Sequence, residues 1–144
     1  MSNTSSPRGR PLGETGGSAQ RPARQLAAPA LAFDLAAELA SLKEEASWQD
    51  GDRNARTLVE EPTLRIVLCA ARAGARFQEH KTAGLASLQT LAGHLRLHLP
   101  DETVDLPAGH LLALHHDRPH DVEAVEESAF LLTFAWPTRR PSQV

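Results

Sequence analysis

The sequence holds one cysteine in 144 residues, Cys69, so an intrachain disulfide is excluded. No second thiol is available for a zinc site or for redox work. Cys69 lies in the apolar run LRIVLCAA, where a buried, inert thiol is expected. A reducing compartment suits such a residue, and a cytoplasmic location is the expectation. Long hydrophobic runs are also missing. Nothing approaches the roughly 18 apolar residues of a membrane span, nor does the N-terminus carry the apolar segment of roughly 7 to 15 residues that a secretory signal needs. No membrane partner is therefore expected. Aromatic residues make up only 4% of the chain. Phe77, Phe130, Phe134 and Trp136 read as core or interface fillers. There is no G-x-S-x-G elbow and no glycine-rich phosphate loop, which argues against those two chemistries.

Positive charge is scarce where the chain can fold. Residues 31–138 contain nine basic and seventeen acidic side chains, a balance of −8. The first thirty residues contain four Arg and one Glu, a balance of +3, and Arg139 with Arg140 brings the total to −3. An acidic domain without a basic, aromatic-studded face argues against a specific nucleic-acid partner. Residues 1–30 are rich in Gly, Pro and Ser and cannot bury enough apolar area to offset the entropy of ordering, so a disordered basic tail is expected. Their Arg and Ser content also occurs in organelle transit peptides, but no amphipathic pattern accompanies it.

The remainder divides by period. Leu35, Leu39, Leu42 and Ala46 fall at helical spacing behind Asp34, a suitable N-cap, which predicts one short amphipathic helix over 34–46. Glu44 and Glu45 oppose its dipole, so packing on the rest of the domain must hold it. Residues 31–56 read as this helix and a linker. After QDGDRN the period becomes two. Leu64, Ile66, Leu68 and Ala70 share one face, Leu95, Leu97 and Leu99 alternate with His94, Arg96 and His98, and Phe130, Leu132, Phe134 and Trp136 share another face. Pro100-Asp101-Glu102, Pro107-Ala108-Gly109 and Glu126-Glu127-Ser128 mark turns. Roughly eight short strands predict an all-β barrel or jelly roll over 57–137, followed by a tail at 138–144.

Two spacings carry a resemblance. Five residues separate Gly74 from His80, and Gly93 closes the segment. Gly109 then precedes His120. In this order, within period-two strands, the chain resembles the cupin superfamily. The first cupin motif reads G, five residues, H-x-H, three or four residues, E, six residues, G. The second reads G, five residues, P-x-G, two residues, H, three residues, N. The resemblance implies a small single-domain cupin barrel preceded by the tail and helix. It also implies a metal held by two His and a Glu of the first motif and one His of the second. Thr82 stands at the second His position and Ala86 at the Glu position. His115, Asp117 and Ala124 replace the Pro, the second Gly and the Asn.

Divalent Fe, Mn, Ni or Zn normally takes three or more protein ligands. Two imidazoles and the weak hydroxyl of Thr82 make a poor cage. The expectation is a pocket around His80, Thr82 and His120 that binds a small ligand, with His80 and His120 holding at most a weakly bound metal, in a sensing or regulatory role. A metal-dependent enzyme of dioxygenase or isomerase type and a structural dimerisation or docking module are the alternatives. His115 and His116 are expected on the turn outside the barrel mouth, and His94, His98 and His110 at the solvent. Gln89 reads as outward, toward solvent or a homodimer partner, since small cupins of this kind commonly associate through one sheet face. The paired carboxylates at 44, 60 and 126 read as solvated.

Overall fold

A computed structural model describes residues 29–79, 84–115 and 119–136. The basic tail at 1–28, His80 to Ala83, His116 to Arg118 and the segment 137–144 lie outside the described residues. Among the described residues two helices, α1 (Leu35–Leu42) and α2 (Ala46–Asp50), precede nine strands. These are β1 (Arg53–Glu61), β2 (Leu64–Ala71), β3 (Arg76–Glu79), β4 (Leu85–Ala92), β5 (His94–His98), β6 (Thr103–Pro107), β7 (Leu111–Leu114), β8 (His120–Ala124) and β9 (Ser128–Ala135). They form a five-stranded sheet in the order β1-β2-β9-β4-β7 and a four-stranded sheet in the order β3-β8-β5-β6. All pairings are antiparallel. The strand count exceeds the roughly eight expected. The first strand also starts at Arg53, inside the segment read as linker before residue 57.

The inner faces meet in one core that includes Val67, Cys69, Leu88, Leu95, Leu97, Val122, Phe130 and Leu132. Phe77 and Phe130 meet there edge to face, their centroids 5.8 Å apart, a favoured aromatic geometry. Cys69 is buried among these residues, as the apolar run implied. A second core lies on the outer face of the five-stranded sheet. There Leu58, Val59, Leu68 and Ala70 pack with Leu42 and Trp48 of the helices. Alternate residues of β2 thus enter opposite cores, which is why this strand is a nearly continuous apolar run. The register skips Leu58 between Thr57 and Val59, a bulge that lets both Leu58 and Val59 join the helix-side core.

The helical segment is capped as expected, the Asp34 carboxylate accepting from the Ala37 N–H at 3.1 Å. It is nevertheless two helices and not one. At Glu45 the side chain turns down to the sheet, where its carboxylate accepts from Asn54 Nδ2 at 2.8 Å and from Arg56 Nη2 at 2.8 Å. Arg56 also donates to Glu38 at 2.9 Å and to Ser41 Oγ at 3.2 Å. Glu45 and Arg56 are both buried. This corrects the reading of Glu45 as a solvated carboxylate: on strand β1 two polar residues rise beneath the helices and require a buried acceptor. Gly93 adopts φ +85°, and a Cβ there would collide with the carbonyl of Glu127 and with Ser128. The closing glycine of the first motif is therefore required both by backbone sign and by close approach.

Candidate functional site

The two ends of the barrel differ. At one end the inward residues Ala71, Ala75 and Ala124 are almost completely inaccessible. At the other end Arg65, Ala86, Leu99, Val104, His120 and Trp136 are half-buried. Ala86, Leu99, Val104 and Trp136 still touch the inner core. The core is thus filled through its middle and open at one mouth. A cleft of about 260 Å³ opens on the mouth rim, lined by His98, Leu99, Pro100, Pro119, His120 and Asp121.

His120 begins β8 in the phase of Val122 and Ala124, both fully buried in the inner core, and faces the mouth. Its register partner is Glu79, the last described residue before His80. His80 and Thr82 lie outside the described residues. Ala86, at the position of the missing carboxylate, is half-buried against the inner core. Ala124, at the position of the missing Asn, is completely buried. His115 is exposed, and His116 falls outside the described residues. Among the described residues, no group of three or more His, Cys, Asp or Glu side chains is arranged to hold a metal ion. Of the four positions of the cage that the spacing resembles, Ala86 offers no donor and His120 is in place, while His80 and Thr82 lie outside the described residues.

The remaining histidines lie elsewhere. His94 and His98 occupy the outer phase of β5, as expected, while Leu95 and Leu97 point into the core. They are not idle there. His98 Nε2 lies 2.8 Å from Glu123 Oε1, and His94 Nε2 lies 3.1 Å from Asp105 Oδ1, which also accepts from Arg96 at 2.8 Å. The hydrogen bond from His98 draws the Glu123 carboxyl below its ordinary value, with Arg76 adding to the effect. The hydrogen bonds from Arg96 and then His94 lower Asp105 in the same way. Period-two reading finds the outer phase of these histidines but not their partners, which come from neighbouring strands. Gln89 also lies in the outer phase, paired in register with exposed Leu111 on β7 and with Leu131 on β9.

One inward side chain escaped the sequence reading. Arg65 alternates with Leu64 and Ile66 of the helix-side core and shares the phase of Val67 and Cys69. Its register partners are Glu60 on β1 and Phe134 on β9. Its Nε is buried without a hydrogen-bond partner. The signal was present as the single charge in LRIVLCAA. Because both faces of β2 are apolar, alternation could not tell which core that charge enters.

The profile of the AraC-like ligand-binding domain matches residues 65–137, half of the chain. Curated proteins gave no match. A conserved protein of unknown function from Streptococcus pyogenes shares the fold with a TM-score of 0.61 and 24% identity, over 76% of this chain and 90% of that one. The cupin domain of an XRE-family transcriptional regulator from Enterobacter cloacae aligns with a TM-score of 0.53 and 14% identity, over 60% and 98% of the two chains. Salicylate 1,2-dioxygenase from Pseudoaminobacter salicylatoxidans gives 0.67 and 19%, over 78% of this chain and 35% of that chain. These three likenesses are of fold. Together with the two-sheet barrel and its open mouth, the profile match settles the family: the chain belongs to the AraC-like ligand-binding domains, and its barrel is a small cupin.

Proposed function

We propose that this domain holds a small molecule at the open mouth of its barrel, beside His120, with His80 and Thr82 as further candidate contacts, and that binding serves a sensing or regulatory role. The observation that supports this most is the placement of His120. It stands on the inner phase of β8, half-buried, at the end of the barrel where the core stops, and it borders the cleft. Pockets that recognise small molecules combine an apolar wall with a few placed polar groups. Here Leu99, Pro100 and Pro119 supply the apolar wall of the cleft and His120 supplies a polar group. The regulatory role accords with a likeness to the cupin domain of a transcriptional regulator. The likeness to a dioxygenase accords with the enzymatic alternative.

A thermal-shift screen of small metabolites tests the reading. A ligand at about a hundred times its Kd stabilises the folded chain by about 2.7 kcal/mol, so a genuine ligand raises the melting temperature, and His120→Ala removes most of that rise. The reading fails if no compound stabilises the chain at millimolar concentration. It fails equally if His120→Ala retains the full rise. Elemental analysis of protein purified without added metal or chelator decides in parallel whether His80 and His120 retain a divalent ion.

A further inference from the structure

Arginines and lysines elsewhere among the described residues are matched. Lys43 pairs with Glu127, Arg53 with Asp52, Arg56 with Glu38 and Glu45, Arg76 with Asp121 and Glu123, and Arg96 with Asp105. Arg72 donates to the carbonyls of Trp48 and Gly51 and stacks on the Trp48 ring. Arg65 alone of this set makes no ion pair or hydrogen bond through its side chain among the described residues. Yet it is half-buried, on the inner phase, one residue from the mouth end of β2. Glu60 stands opposite it in register, and among the described residues no ion pair joins the two.

Comparison with Arg56 shows what a structural arginine requires in this protein. Buried more deeply, Arg56 leaves its own Nε unpaired, but its two terminal nitrogens meet two carboxylates and a hydroxyl. A buried guanidinium donor without an acceptor is costly, and natural cores rarely keep one unless something else supplies the acceptor. Beside Arg65 the inner wall continues through Phe134, its register partner, to Trp136, whose ring stacks on Phe134 at 6.2 Å between centroids. At the mouth end of β2 one positive fork thus stands beside an aromatic wall.

We propose that Arg65 receives the carboxylate of a small organic acid at the barrel mouth, with Phe134 and Trp136 against its apolar part. This rests on the mouth being the ligand site and names the class of ligand it takes. The guanidinium fork matches a carboxylate in shape and can bond it through two parallel N–H donors. A single charge is also what the surroundings admit. One Arg balances one carboxylate, and Glu60 opposite in register disfavours each further negative charge, so a dianion such as phosphate is opposed more strongly than a monocarboxylate.

Full-length 15N-labelled chain is titrated with benzoate, with benzamide of the same shape but no charge, and with inorganic phosphate, following the Arg65 Nε–H and Trp136 indole N–H resonances. Benzoate is expected to move both along one saturating curve, about tenfold more tightly than benzamide. Arg65→Gln removes that advantage, Arg65→Lys keeps part of it while preserving the fold, and Glu60→Gln strengthens benzoate binding. If benzamide and benzoate move Trp136 equally, and Arg65→Lys leaves both unchanged, the carboxylate assignment is wrong while the mouth stands as a binding site. Tighter binding of phosphate than of benzoate also overturns it. If neither organic probe moves Trp136 or Arg65, the assignment and the mouth as ligand site fall together.

Discussion

Glu123 sits on the outer face of the four-stranded sheet with His98 at 2.8 Å and Arg76 at 3.7 Å. The hydrogen bond from His98 holds its carboxyl below the ordinary glutamate value of 4.5. The folded form thus releases the proton more readily than the unfolded form. The resulting stability is complete above pH 4.5 and is lost as pH falls through the lower folded value. Removing the donor moves the folded carboxyl back toward its ordinary value. In His98→Ala, melting temperature followed from pH 6 down to pH 3 should fall less on the acid side than in the parent. An identical acid limb in the two proteins would show that His98 does not tune Glu123. The sequence made His98 legible as an outward residue, because Leu95 and Leu97 fix the phase of β5, but its partner on β8 depends on strand order. Arg65 was hidden for the opposite reason: on a strand with two apolar faces, a lone charge has no polar face to belong to.

Between residue and domain, the helices and β1 act as one unit. Spacing from Asp34 through Leu42 revealed α1, its cap and its buried face. It did not reveal the break at Glu45, because that break is set by Asn54 and Arg56 reaching up from β1. The polar pattern DGDRN likewise masked the start of β1, whose alternate residues Asn54 and Arg56 are polar and yet buried under the helices. Removing one partner from a buried ion pair strands the other charge, at a cost of about 3 kcal/mol or more. Glu45→Ala should lose about 3 kcal/mol in urea unfolding, with Glu38 retaining part of the interaction. Glu45→Leu combined with Arg56→Met should recover most of the loss, since apolar residues of similar volume commonly replace such a pair without penalty. A loss for Glu45→Ala within the range of ordinary surface substitutions, about 0.5 kcal/mol, would mean the clamp does not hold the helices down.

As a whole the molecule is a barrel filled by its own side chains except at one end. The motif glycines were readable from spacing, and their backbone role follows directly: Gly74, Gly93 and Gly109 all have positive φ. The fold class was readable for the same reason, since strands of period two separated by such turns leave few alternatives. Which end of the barrel is open was not readable, because it depends on where inward residues cease to be covered by the opposite sheet. Among the described residues, no helix is long and apolar enough to cross a membrane. The central claim is that the mouth, and not the helix-covered face or the polar outer sheet, receives the ligand. Methyl-resolved NMR of the full chain with a pool of small metabolites tests it most directly. The account predicts shifts at Leu97, Leu99, Val104 and Leu114 around the mouth, with Val59, Leu68 and Leu131 on the helix side unmoved. Shifts confined to the helix-side methyls, or no shifts at the mouth, would contradict it.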